Sequence, residues 1–158
     1  MGGGGGGRDL GDTSDLEQRA KEILKQGQTG RKNVFISFAQ EDENEVNLLR
    51  GQAKNQNSDL EFNDFSVKEP YDSQRREYIQ QRIRERIRQC SMTVVYLSSN
   101  TPQSRWVEWE AEESIRLGKR VIATHSGTAP PADLPDFIRR HGIRIVPWAD
   151  LAAEVARN

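Results

Sequence analysis

The residue most suggestive of chemistry is Glu110, in the segment from Arg105 to Gly118. On a helical wheel of roughly 100° per residue, Trp106, Val107, Ser114 and Leu117 gather on one side, with Trp109 and Ala111 at its margins. Glu110 falls in the middle of that group, one turn after Trp106 and one turn before Ser114. Glu108 and Glu112 point away, and Glu113 sits near the margin. Desolvating a carboxylate is costly or raises its pKa. An inward carboxylate beside a tryptophan therefore has a structural partner, such as Arg82, Arg86 or another arginine, or it works in a cleft. The pattern alone leaves both open.

From Asn33 onward, strands and helices alternate. Val34-Phe35-Ile36-Ser37-Phe38 has the short, apolar, β-rich character of a buried parallel strand. The acidic stretch Glu41 to Glu45 suits a helix N-terminus, where negative charge meets the helix dipole. Leu60 to Phe65 reads as a second strand, polar enough for an edge. Ser73 to Cys90 is the clearest helix, with Ile79, Ile83 and Ile87 spaced by four. Met92 to Leu97 is the most apolar strand, and Thr101-Pro102 offers a cap and a first-turn proline for a helix running to Gly118. Arg120 to Thr124, Asp133 to His141, Ile143 to Val146 and Ala149 to Ala156 follow as strand, helix, strand and helix.

Five strands with helical crossovers predict an α/β, flavodoxin-like three-layer fold: a parallel sheet in the order 2-1-3-4-5 with helices on both faces. Ligands of such sheets sit beyond the carboxyl ends of the strands, near the switch point between strands one and three. That rule nominates Ser37, Phe38, Asp64, Ser98, Ser99, Asn100 and His125.

The 158 residues suit one domain, and the net charge of −1 advertises no nucleic-acid partner. No apolar run approaches the ~20 residues that cross a bilayer, and no charged-then-apolar leader opens the chain, so the expectation is a cytoplasmic protein without a membrane partner. Cys90 is the only cysteine, which excludes an internal disulfide and argues against a cysteine-rich metal site. Residues 1–30 read as a glycine-rich leader, Gly2 to Gly7, followed by a short helix capped by Ser14 and carrying Leu16, Ala20, Ile23 and Leu24. The folded domain is expected over residues 31–158.

Val34 to Phe38 resembles the first strand of TIR domains, and Trp106-Val107-Glu108-Trp109-Glu110 resembles their Trp-x-x-x-Glu helix. More narrowly, the chain resembles the TIR-like, ThsB-type proteins of the Thoeris anti-phage defence system. The pattern includes Phe65-Ser66-Val67, Ile87-Arg88-Gln89-Cys90-Ser91, Ser104-Arg105-Trp106-Val107 and Leu117 to Ala123, and it covers about Lys32 to Trp148. The Asn63 to Asp72 loop departs from the animal-type TIR loop.

This resemblance implies an NAD-processing enzyme that cleaves the nicotinamide–ribose bond, with Glu110 as the catalytic carboxylate near the ribose and Trp106 walling the site. NAD is then the substrate, with no further cofactor and no metal. A carboxylate suits the chemistry, because an oxocarbenium-like transition state develops positive charge that it stabilises. Ser37, Phe38 and Asp64 complete the expected substrate-binding set, Phe38 by stacking and Asp64 by accepting hydrogen bonds. The resemblance further implies a cyclised ADP-ribose signal, a separate effector that receives it, a phage-derived trigger and self-assembly into a homo-oligomer.

Other residues have ordinary readings. Trp109 and Trp148 read as packing, His141 as a helix-end residue, and the arginines of Arg75 to Arg88 as a solvated helix face that also offers charge to a pyrophosphate or a neighbouring subunit. Rival classes are a non-catalytic TIR scaffold that signals by self-association and a nucleoside deoxyribosyltransferase-like enzyme. A phospho-accepting receiver needs an Asp ending strand three and a Lys ending strand five, where this chain has Leu97-Ser98-Ser99 and Val146-Pro147. A flavin carrier lacks its phosphate loop after strand one.

Overall fold

The computed structural model describes residues 32–56, 60–65 and 69–157. The leader and helix expected over residues 1–30 lie outside the described residues, as do Ser66 and Val67 of the family pattern. Five strands form one parallel sheet in the order β2-β1-β3-β4-β5. They are β1 (Lys32–Ser37), β2 (Leu60–Asn63), β3 (Met92–Tyr96), β4 (Arg120–His125) and β5 (Arg144–Pro147). The predicted order and the edge position of β2 both hold. The connecting helices are α1 (Glu43–Asn55), α2 (Arg76–Gln89), α3 (Arg105–Arg116), α4 (Asp136–Arg140) and α5 (Trp148–Ala156).

Strand alternation sorts the core into two layers. Val34, Met92, Val94, Ile122 and Val146 face α5 through Leu151 and Val155. On the same side Ile36 and Tyr96 pack on Val46 of α1. Phe35 turns to the opposite face, where it meets Ile79, Ile83 and Ile87 of α2. Val95, Leu97 and Ala123 share that face and pack on Val107 and Ala111 of α3 and on Phe137 and Ile138 of α4. Burial of each of these large side chains contributes about 1.5–3 kcal/mol. Ser37, two residues after Phe35, is buried on the α2–α3 side, which matters for the site below.

Two local outcomes differ from the expectation. Thr101-Pro102 opens a 3-10 turn, Thr101–Gln103, and the cap of α3 is Ser104, whose hydroxyl accepts from the Val107 amide at 3.2 Å. The Thr101 hydroxyl is spent elsewhere, accepting from the Ser98 amide and donating to the Tyr96 carbonyl. Likewise the acidic run starts with a 3-10 turn, Gln40–Asp42, and α1 begins only at Glu43. At the far end of α3, Gly118 adopts φ 76° and the amides of Gly118 and Lys119 bond back to Ile115 and Ser114. That left-handed stop needs a glycine. Among the described residues, no helix is long and apolar enough to cross a membrane.

Candidate active site

A cavity of about 510 Å³ opens beyond the carboxyl ends of β1, β2 and β3. Its walls include Ile36 and Phe38 from the end of β1, Phe65 after β2 and Asn100 after β3, with Trp106 and Glu110 from α3. This is the crevice that the strand order calls for.

Glu110 is only 4% exposed. Among the described residues it has no arginine partner: the Ser37 hydroxyl donates to its Oε1 at 2.5 Å. Arg86 instead donates to the Asp64 carbonyl and lies over the Phe65 ring, and Arg82 is exposed. The arginine pairing imagined for Glu110 belongs to its neighbour Glu113, which Arg84 and Arg116 hold. Burial pushes the Glu110 carboxyl up to about 8; the Ser37 hydrogen bond pulls it down and the Asp64 charge adds to the rise. A carboxyl poised near neutrality on a cavity wall, held by one hydroxyl, is suited to meeting positive charge.

The helix presenting Glu110 is fixed to the sheet by polar contacts. The Ser114 hydroxyl donates to the Glu110 carbonyl at 2.7 Å and lies 2.7 Å from the Thr93 hydroxyl of β3. One turn before Glu110, Trp106 donates its Nε1–H to the Glu69 carbonyl at 2.9 Å and meets Tyr71 edge to face, ring centroids 5.0 Å apart. Trp106 thus anchors the 69–71 segment against α3, and both Glu69 and Tyr71 line the cavity.

The remaining nominated residues divide. Phe38 lines the cavity, whereas Ser37 does not and is instead hydrogen-bonded to Glu110. Asp64 is absent from the lining; Arg50 binds its carboxylate at 2.8 Å, and its charge acts on Glu110 at longer range. Asn100 reaches the cavity, whereas Ser98 faces Asp42. His125 is buried at the end of β4 with Nδ1 2.9 Å from the Ser126 carbonyl, and it does not line the cavity. Trp109 packs beside Trp106 and under Arg84, and Trp148 stacks on Phe62, as their packing readings anticipated. His141 caps α4 and bonds Glu112 at 3.0 Å.

Sequence reasoning missed Asp42. It is buried at the switch point and accepts from the Ser98 hydroxyl at 2.5 Å and the Asn100 side-chain amide at 2.8 Å, tying the loop after β1 to the loop after β3. It missed Tyr71 and Arg105 as well, whose guanidinium lies 4.5 Å from the Tyr71 ring centroid. Arg105 adjoins Trp106 in the quoted pattern, and that adjacency was the available signal.

Residues 35–130 match the family described as Thoeris protein ThsB, TIR-like domain. None of the curated proteins matches the chain. Among solved structures, the chain is similar to a 2-deoxyribosyltransferase from Bacillus psychrosaccharolyticus at 15% identity and a TM-score of 0.53, covering 76% of this chain and 90% of that one. It is also similar to a CMP N-glycosidase, BcmB, from Clostridium botulinum at 14% identity and a TM-score of 0.47, over 80% of this chain and 100% of that one. At these identities the likeness to the transferase is one of fold.

Proposed function

The chain belongs to the family of the Thoeris protein ThsB, TIR-like domain, and on that premise we propose that it cleaves the nicotinamide–ribose bond of NAD, with Glu110 as the catalytic carboxylate. One observation carries the reading: a buried carboxyl with a hydroxyl partner and no cation among the described residues, on the wall of a cavity at the switch point. Family membership supports a role in Thoeris defence.

In this reading the C1′–N bond breaks with its electron pair going to nicotinamide, which leaves neutral from a cationic ring. The ribosyl carbon becomes oxocarbenium-like. Glu110 in its ionised form stabilises that charge, where a preorganised carboxylate in a desolvated site contributes most. The substrate's own pyridinium charge favours ionisation of Glu110 on binding, so the raised pKa couples substrate capture to formation of the anion. Trp106 walls the cavity, Phe38 offers a ring face, and Ser37 holds the carboxylate in place. The cation is then trapped by water, which loses a proton to give ADP-ribose, or by a nucleophile within the same molecule, which gives a cyclised product. A cyclised product acting on a separate effector, after a phage-derived trigger and in a homo-oligomer, completes the proposal.

The test is nicotinamide release from NAD, with products resolved by mass, by wild type and Glu110→Gln during phage challenge. Loss of both nicotinamide and any ADP-ribose product in the variant supports the proposal. Equal turnover in both proteins removes Glu110 from the chemistry. No turnover in either, from triggered and assembled protein, favours a scaffold that signals by self-association. A 2′-deoxynucleoside in the same assay tests ribosyl transfer to a base as the rival reaction.

A further inference from the structure

Charge is distributed unevenly around the cavity. Among the described lining residues, Glu41, Glu43, Glu69, Asp72 and Glu110 are acidic, and Arg105 is the single cation. Such a wall suits a pyridinium or a developing oxocarbenium ion and opposes a phosphate everywhere except beside Arg105.

Arg105 is also held in a defined posture. Trp106 fixes the Glu69 carbonyl, Tyr71 packs edge-on to Trp106, and the Arg105 guanidinium lies over the Tyr71 ring at 4.5 Å. A guanidinium over an aromatic ring can still direct N–H groups to an oxyanion, and among the described residues no carboxylate pairs with Arg105. Arg76, 5.1 Å from the same ring centroid, enriches the positive charge around Tyr71 without lining the cavity. Arg105 is the first residue of α3, so the helix dipole also favours an anion there. It stands five positions before Glu110, an axial rise of about 7.5 Å along the helix. Both residues line the one cavity, so a ribose at Glu110 can extend its 5′-phosphate toward Arg105.

Resting on the NAD reading above, we propose that Arg105 binds the phosphate on the 5′ side of the reacting ribose and makes the site specific for phosphorylated substrates over bare nucleosides. None of the arginines from Arg75 to Arg88 that the sequence offered for a pyrophosphate lines the cavity, and three of them have partners of their own: Arg84 meets Glu113, Arg86 the Asp64 carbonyl and Arg75 Glu69.

Calorimetric titration of the full chain with ADP-ribose and with nicotinamide riboside tests this. Arg105→Gln is expected to weaken ADP-ribose about tenfold to a hundredfold, the loss of a charge-assisted hydrogen bond. Nicotinamide riboside binding stays within about twofold. Arg105→Lys, which keeps the charge and loses the fork, falls between wild type and Arg105→Gln. Unchanged ADP-ribose affinity in Arg105→Gln overturns the assignment. So does equal weakening of both ligands, which marks a structural role, and so does failure of the wild type to bind ADP-ribose. These outcomes are read by binding alone, so they stay separate from the Glu110→Gln turnover result that decides the NAD reading.

Discussion

The Ser37 hydroxyl at the end of β1 donates to Oε1 of Glu110 on α3 across 2.5 Å, joining residues 73 positions apart in the chain. This bond opposes the desolvation that raises the carboxyl to about 8. Ser37→Ala therefore moves the carboxyl further up. If the anion is the active form, kcat/KM for nicotinamide release rises with pH toward a plateau above about 8. In Ser37→Ala that limb moves to higher pH, and turnover at neutral pH drops about tenfold for each pH unit the limb travels. A pH–rate profile unmoved by the substitution contradicts the coupling.

Asp64 predicts the opposite sign. Its charge raises Glu110, so Asp64→Asn lowers the carboxyl and moves the same limb to lower pH. The substitution also breaks the partly exposed pair with Arg50, at a cost of about 0–1 kcal/mol. A profile displaced to higher pH, or left in place, shows that Asp64 does not act on Glu110 through charge.

The buried carboxyl has a consequence for stability that is independent of any substrate. Its folded-state pKa lies above the ordinary 4.5, so the folded protein keeps a proton that the unfolded chain releases. That contribution is fully present below pH 4.5 and is lost as pH rises to about 8. Glu110→Gln removes this titration. Urea unfolding across the window is expected to show the variant gaining on wild type by up to about 1.4 kcal/mol per pH unit. A constant difference between the two proteins over that range contradicts a neutral, buried Glu110.

Much of this site was legible before the structure. Periodicity placed Glu110 among Trp106, Val107 and Ser114, because an α-helix repeats its faces regularly wherever it occurs. Strand alternation likewise puts Ser37 on the Phe35 face, the one packed against α2. What stayed hidden lies in irregular backbone, where no period links one residue to another. Asp42 sits in an acidic run that reads as helix dipole complement, yet its partners are 56 and 58 residues away. Tyr71 lies outside the helices and strands, and contacts distant in the chain, to the Trp106 ring and the Arg105 guanidinium, set its place. Thr101 looked like a cap by residue type alone; its hydroxyl was claimed by Ser98 and Tyr96 in a tighter turn.

That Trp106 bond carries its own prediction. Trp106→Phe keeps an aromatic wall but leaves the Glu69 carbonyl without its N–H donor. Losing a part-buried hydrogen bond of this kind costs about 0.5–1.5 kcal/mol, and the 69–71 segment loosens as a result. KM for NAD is expected to rise more than kcat falls, because the segment shapes the cavity while Glu110 stays bonded to Ser37. A fall in kcat alone, with KM unchanged, places Trp106 in the chemical step.

Glu113 supplies the control for electrostatics outside the cavity. It is buried like Glu110 but meets Arg116 and Arg84, with the Arg84 Nε 2.5 Å from its Oε2. The hydrogen bond from Arg116, then that from Arg84, outweighs desolvation and holds its carboxyl down at about 2. The sign is therefore the reverse of Glu110: stability from Glu113 is present above pH 4.5 and is lost as pH falls to about 2. Glu113→Gln leaves Arg84 partly buried against α3 without its carboxylate, an expected cost of about 1–3 kcal/mol at neutral pH. That cost shrinks in acid, where wild type loses the same contribution. Unfolding measured at pH 7 and near pH 3 resolves the difference. A deficit that does not narrow in acid means that the Arg84–Glu113–Arg116 cluster adds no net electrostatic stability, and that the loss in Glu113→Gln comes from packing between α2 and α3.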